Sequence, residues 1–211
     1  MILEMIMVND VRVGVKVFNT YGLMGNAALL HRYGFTEADN PYDIVNIDLV
    51  LVLQWSLTLF SNRNGRARLA LWLRLGYTEC VSRNAEYFEI SPDGELQVEL
   101  LILLYIILLK EDAFYDLDLM VLTANNFNGS ISMILSAKCS LTRDESSEIS
   151  RDLLLTESVC CALLWLADER ESAYGLSLAD DDIKAMKSCM NDRKLFNSLV
   201  LRVSEKRFSK N

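Results

Sequence analysis

One histidine, two prolines and no excess of basic residues in 211 positions already remove several classes of mechanism. With His31 as the single imidazole, most Ser-His-Asp, Cys-His and His-rich metal chemistries lose their central group. A lone histidine on a short helix reads as a structural or surface residue. The 21 basic residues face 29 acidic ones, giving a net charge of −8. That balance argues against nucleic acid as a partner, because affinity for phosphate backbones rests on clustered Lys and Arg. It is compatible with a basic protein substrate or with a plain soluble surface. Five cysteines (Cys80, Cys139, Cys160, Cys161 and Cys189) show no paired ligand spacing. They read as structural thiols in a reducing compartment. A glycine-rich phosphate loop is missing too, since Gly22 and Gly25 lack a third glycine. The longest apolar run, Leu100 to Leu109, is about half of the roughly 20 residues a bilayer crossing needs. No membrane partner is expected. Met1 to Val8 lacks a basic start and a small-residue cleavage site, so no secretory signal is expected there.

What is present is apolar: 51% hydrophobic residues, enough for a packed core, on a length that suits one domain or one domain plus part of another. Met5 to Val8 and Val15 to Phe18 read as short strands around a turn at Gly14. A two-stranded ribbon is marginal alone, so something must pair with it. Asn26 is placed to cap a short helix through Ala27, Leu29 and Leu30 that ends at Gly34. Turn chemistry at Asp39 to Asp43 marks a boundary. Beyond it the pattern is mainly helical. Leu69, Trp72 and Leu73 form a stripe before Gly76, and Phe88 and Ile90 alternate in a strand closed by Pro92-Asp-Gly94. Gln97 to Leu109 is apolar on nearly every face and reads as the central helix of a bundle. Leu155, Val159, Leu163 and Leu166 give another stripe, ending at Gly175. Ile183, Met186 and Met190, then Phe196, Leu199 and Val203, give a last long helix or helix pair. Residues 125–132 and 142–150 read as loops. Asp180-Asp-Asp182 falls at a helix start, where carboxylates meet orphan N–H groups, and no metal is expected there.

The segment with the most chemistry is Lys16-Val-Phe-Asn-Thr-Tyr-Gly22, followed by Gly25-Asn-Ala-Ala-Leu-Leu-His-Arg-Tyr-Gly-Phe35. Two Tyr-Gly pairs flank a short apolar helix. Composition and periodicity by themselves describe two aromatic turn residues packing onto a core. In its residues, however, the segment resembles the C-terminal signature of SET-domain protein-lysine methyltransferases. It is most similar to the branch of Rubisco large-subunit methyltransferase and the nuclear SET-domain-containing-protein-six enzymes. Asn40-Pro-Tyr-Asp-Ile-Val-Asn-Ile-Asp48 and the helical remainder are similar to that branch's C-terminal substrate-binding domain.

The resemblance implies an α+β chain: residues 1–43 as a β-rich end of a SET domain, and 44–211 as an all-α substrate-binding domain. It implies protein-lysine N-methylation with S-adenosylmethionine as methyl donor and a protein bearing the target lysine as partner. Tyr21 corresponds to the catalytic tyrosine, and Tyr33 to the second tyrosine bordering the lysine channel and the donor. Phe35 corresponds to a residue near the donor's adenine. Phenols suit this chemistry, because a hydroxyl can orient a neutral amine by hydrogen bonding while itself uncharged near neutral pH. In-line attack then depends on how the amine is held. The family's glycine-rich donor strand and its Asn-His segment do not occur in these residues, and Val15 and Lys16 stand where the branch has acidic residues. The chain is therefore expected to be a C-terminal fragment or truncated form. The alternative is a non-catalytic helical protein-interaction module derived from such an enzyme. Nucleus or cytoplasm is the compartment expected, and a plastid is also compatible.

Overall fold

Residues 10–16, 21–60, 62–76, 87–123, 151–175, 179–189 and 191–208 are described by a computed structural model. Their order along the chain is α1 (Asn26–Tyr33), β1 (Val45–Asp48), α2 (Leu49–Leu59), α3 (Asn62–Arg74), β2 (Tyr87–Ile90), α4 (Val98–Leu108) and α5 (Glu111–Thr123). Then come α6 (Arg151–Leu154), α7 (Glu157–Ser172), α8 (Ala179–Ser188) and α9 (Arg193–Phe208). The chain is mostly helical with one small antiparallel sheet, an α+β arrangement.

The apolar run in the middle of the sequence becomes α4. Leu100 to Leu104, Ile106 and Ile107 are all fully enclosed. A helix that is apolar on every side can be stable only when neighbours cover each of those sides. α3 and α5, α6 and α7 supply that cover, with Leu71, Trp72, Phe114, Leu117, Leu154, Val159 and Leu166 in the same core. The indole N–H of Trp72 donates to the carbonyl of Glu99 at 3.0 Å, and its ring meets Phe88 edge-on at 6.0 Å. The sheet pairs β1 with β2 in the register Val45 with Ile90 and Ile47 with Phe88, which turns Val45, Ile47 and Phe88 inward. Gly94, with φ of 77°, closes the turn after β2, as the Pro92-Asp-Gly94 pattern predicts.

Several expectations are corrected. Both described strands lie after residue 43, so the sheet belongs to the stretch expected to be all-α. Among the described residues of 1–43 the regular element is a helix. Residues 12–15 make a turn around Gly14, Val15 and Lys16 are not in a strand, and 5–8 and 17–18 lie outside the described residues. On α3 and just past its end the inward residues are Leu71, Trp72 and Leu75. Leu73 faces solvent, one residue off the i, i+3, i+4 reading. Leu155 precedes α7 and is exposed, because Thr156 caps that helix by accepting from the Val159 N–H. The loops expected at 125–132 and 142–150 lie outside the described residues, as do Met190, Cys80 and Cys139. Cys160 and Cys161 are both exposed on α7.

The acidic start of α8 does more than satisfy a helix terminus. Asp182 is buried, accepts from Lys206 Nζ at 2.8 Å and forms an ion pair with Arg202 at 3.0 Å, both on α9. Lys206 is itself enclosed. Removing the Asp182 carboxylate would take one counter-charge from both cations at once. Among the described residues no helix is long and apolar enough to cross a membrane.

The packing of α4 makes a prediction. Leu104→Ala should cost about 2–5 kcal/mol, a transfer term plus a cavity term. Removing the exposed charge of Lys110 should cost well under about 1 kcal/mol. Denaturant midpoints of the chain decide it, and equal small shifts would mean that this helix is not enclosed.

Candidate active site

The segment singled out by its two Tyr-Gly pairs folds back on itself through α1. This helix starts directly after Gly25 and ends at Gly34, whose φ of 74° supplies the left-handed cap a side chain would strain. The reversal brings its flanks together. The ring centroid of Tyr21 lies 4.6 Å from that of Tyr33 and 5.1 Å from that of Phe35, with Tyr33 and Phe35 6.4 Å apart. These tilted and edge-on contacts are the favoured aromatic geometries. All three residues named from the sequence therefore converge. Yet Tyr21 and Tyr33 remain 51% and 49% exposed, so the cluster presents an open aromatic face. Neither phenolic hydroxyl has a hydrogen-bonding partner among the described residues. His31, on the same helix, faces solvent and does not join the cluster.

Asn26 is not the cap of α1 but its first residue, and it is fully buried. Its backbone N–H, an orphan donor of the first turn, is met by Asp43 Oδ1 from across the turn. Its side-chain amide donates to Asp43 Oδ2 at 2.7 Å and to the Glu37 carbonyl at 2.9 Å, while its Oδ1 accepts from the Glu37 N–H at 2.7 Å. Every group of the amide is used. Asn40 adds a bond to the Met24 carbonyl at 2.9 Å. At Gly25 a Cβ would sit 2.8 Å from the Tyr42 carbonyl oxygen, so the two chain segments approach more closely than a side chain allows. The turn at 39–43, read from sequence as a boundary, thus carries the carboxylate that starts the tyrosine helix.

The last helix holds the same segment from the other side. Asn197 on α9 donates to the Gly34 carbonyl at 3.1 Å and accepts from Thr36 Oγ1 at 3.1 Å, so it holds the residues on both sides of Phe35. Seven residues on, Ser204 donates to Asp43 Oδ2. Glu205, buried on α9, accepts from Arg170 at 2.8 Å and from the Tyr174 hydroxyl, and Arg170 also donates to the Asn46 carbonyl at 3.1 Å. Burial raises the Glu205 carboxyl above its ordinary 4.5; the Arg170 guanidinium opposes this, and the carboxylates of Asp43 and Asp48 add to it. None of these α9 partners was picked from sequence. A signal existed, because Asn197 and Ser204 sit seven apart on one face among the apolar Leu199, Val200 and Val203. Among the described residues no group of His, Cys, Asp and Glu could hold a metal ion.

No family model matches the chain. Its relatives are protein-lysine methyltransferases. Ribosomal lysine N-methyltransferase 3 of Saccharomyces cerevisiae is 48% identical over 44 residues, 21% of this chain and 8% of that protein. N-lysine methyltransferase setd6 of Xenopus laevis is 31% identical over 108 residues, 48% of this chain and 24% of that protein. SETD6 of Bos taurus is 40% identical over 57 residues, 26% of this chain and 13% of that protein. The chain spans no more than about a quarter of the length of these relatives. A relationship to protein-lysine methyltransferases follows from the matched stretches.

Two outcomes follow from the α9 contacts. Asn197→Ala leaves the Gly34 carbonyl without its donor and should cost about 1–3 kcal/mol. In spectra of tyrosine- and phenylalanine-labelled chain, the Tyr33 and Phe35 signals should move while Leu104 methyl signals stay; unmoved rings would show that Asn197 does not hold them. The second concerns pH. The proton is bound more tightly to Glu205 when folded, so its contribution to stability is complete below 4.5. It is lost as pH rises through the raised folded value. Glu205→Gln should remove that decline, seen as a flatter midpoint-against-pH curve; an unchanged curve would assign the decline to other groups.

Proposed function

We propose that the chain is the C-terminal part of an S-adenosylmethionine-dependent protein-lysine N-methyltransferase of the SET type. In this reading residues 1–43 end the SET domain, and 44–211 form a substrate-binding domain of the Rubisco large-subunit methyltransferase kind. The observation that carries the reading is the convergence of Tyr21, Tyr33 and Phe35, the three residues that the sequence resemblance puts at the site. The relationship to lysine methyltransferases supports it.

The aromatic cluster fits both ligands the reaction needs. Two half-exposed phenols and a half-buried phenylalanine offer hydroxyls to an amine and ring faces to a planar base. When bound, S-adenosylmethionine supplies a methyl group activated by the positive sulfonium. Tyr21 and Tyr33 would border the lysine channel, with Tyr33 and Phe35 beside the donor. The Tyr21 hydroxyl accepts from or donates to the lysine amine and so fixes its direction of approach, a positioning effect that needs neither histidine nor metal. The protein substrate docks on the helical part, whose rigidity comes from α4 and its neighbours. Nucleus or cytoplasm remains the compartment proposed.

Most of the donor pocket would come from residues outside this chain, since the glycine-rich strand and the Asn-His segment of the family do not occur in it. The chain alone should therefore bind S-adenosylmethionine weakly or not at all by titration calorimetry. A micromolar constant, about −8 kcal/mol, would reject that division of the pocket. With the upstream half supplied, Tyr21→Phe should lower turnover far more than donor affinity, because one orienting hydroxyl is lost. Wild-type turnover in that variant rejects the role given to Tyr21.

A further inference from the structure

Away from the tyrosine cluster, α3 and α5 leave a cleft of about 440 Å³ lined by Arg63, Asn64, Arg68, Glu111, Phe114 and Tyr115. Arg68 lies in its wall and is only 2% exposed. Its Nη1 donates to the Ile106 carbonyl at 2.6 Å, and the Phe60 and Phe114 rings lie 4.6 and 4.7 Å from its guanidinium carbon. Ring contacts of this kind hold the planar group in one orientation. Among the described residues it makes no ion pair. Of the two acidic residues of the cleft, Glu111 acts on Arg68 from beyond ion-pair distance and accepts from Asn64 at 3.4 Å, and Asp118 pairs with Arg74. A guanidinium carries five N–H donors in a fork that matches a carboxylate, and one carbonyl leaves most of that fork unused. Burial pulls the Arg68 pKa down from its ordinary value, and the opposing effects of Glu111 and Tyr115 are the smaller ones.

We propose that this cleft binds the side-chain carboxylate of an acidic residue in a partner polypeptide, with Arg68 as the fork that receives it and Arg63 as the outer cation. A polypeptide is favoured over a small carboxylate by the rim. Tyr115, Leu119 and Leu122 are each about 60% exposed and fall at i, i+4 and i+7, an apolar edge that continues from the cleft along α5. The chemistry is independent of methyl transfer at the tyrosine cluster, so either can fail without the other.

The test follows the side-chain Nε–H signal of Arg68 in the full chain, assigned by its loss in Arg68→Lys. The probe is the peptide acetyl-Leu-Glu-Tyr-Leu-amide, with the Gln analogue and N-acetylglutamate N-methylamide as controls. A saturable shift is expected with the Glu peptide and none with the Gln peptide. The small glutamate amide should bind at least ten-fold more weakly. Arg68→Lys, which keeps the charge but not the fork, should weaken the peptide at least ten-fold, read on backbone signals of α5. Glu111→Gln, which removes the competing carboxylate, should tighten it two-fold or more. No saturable shift, an equal response to the Gln peptide, or unchanged affinity in Arg68→Lys overturns the site. Equal affinity for the small amide overturns the polypeptide assignment. Should Arg68→Lys fail to fold, Arg63→Ala and Glu111→Gln decide, and no change in either overturns the proposal.

Discussion

Helix α4 has no face that tolerates water, and that constraint orders the rest of the described structure. Burying Leu100 to Leu104 on every side requires neighbours all round a single short rod. α3 and α5 come from the chain on either side, and α6 and α7 return from beyond residue 150. The sheet closes one end, where Phe88 and Ile47 join the same core. Once those neighbours are in place, α2 is anchored through β1, because the strand runs straight into the helix at Leu49. The tyrosine segment that precedes β1 takes its starting point from that anchored strand.

The core alone does not fix that segment, and polar chemistry completes the job. α1 has eight residues, too few to be stable as an isolated helix. Its first turn is satisfied by Asp43 and its far end by Asn197, residues distant in sequence. The last helix is in turn locked to its neighbours by the buried Asp182–Lys206 pair and by Glu205 with Arg170. Buried charges of this kind are poor sources of net stability, but they are intolerant of misplacement. Buried charge pairs thus tie α8 and α7 to α9, and the neutral amide of Asn197 carries the linkage on to the turn between Tyr33 and Phe35.

The legible parts of the fold were those governed by local rules. The all-apolar run, the Pro-Asp-Gly turn, the αL glycine after α1 and the Tyr-Gly pairs each follow from a few adjacent residues. β1 was missed because Val45-Asn-Ile-Asp48 has only two inward residues, and its partner lies some forty positions on. Leu73 and Leu155 were assigned to the core by spacing, and a shift of one residue in helix phase or cap position moved each to the surface. The tyrosine cluster was legible only through resemblance. Periodicity described it equally well as turn residues on a core, and half-exposed rings in mutual contact are not what that description implies. Asn26, Asp43 and Asn197 were illegible for a plainer reason. A side-chain amide or carboxylate that bonds across a fold leaves no period in the sequence.

Arg68 shows the same limit in its sharpest form. It stands among Arg63, Arg66 and Arg74 on one helix, and nothing in the run distinguishes it from a solvated cation. Its burial arises because α3 turns this position toward Ile106 and Phe114 once α4 is enclosed. A leucine there would satisfy the packing without a desolvation cost. A guanidinium held by a single carbonyl and two rings instead keeps directed N–H donors at the wall of a cleft, a property that packing does not require. The arrangement makes sense where a helical scaffold must recognise another chain, because recognition rests on a few oriented polar groups set in an otherwise apolar surface. The tyrosine cluster and this cleft are thus two outcomes of one enclosed helix. One is held in place by the last helix of the chain, and the other opens where α3 and α5 part around it.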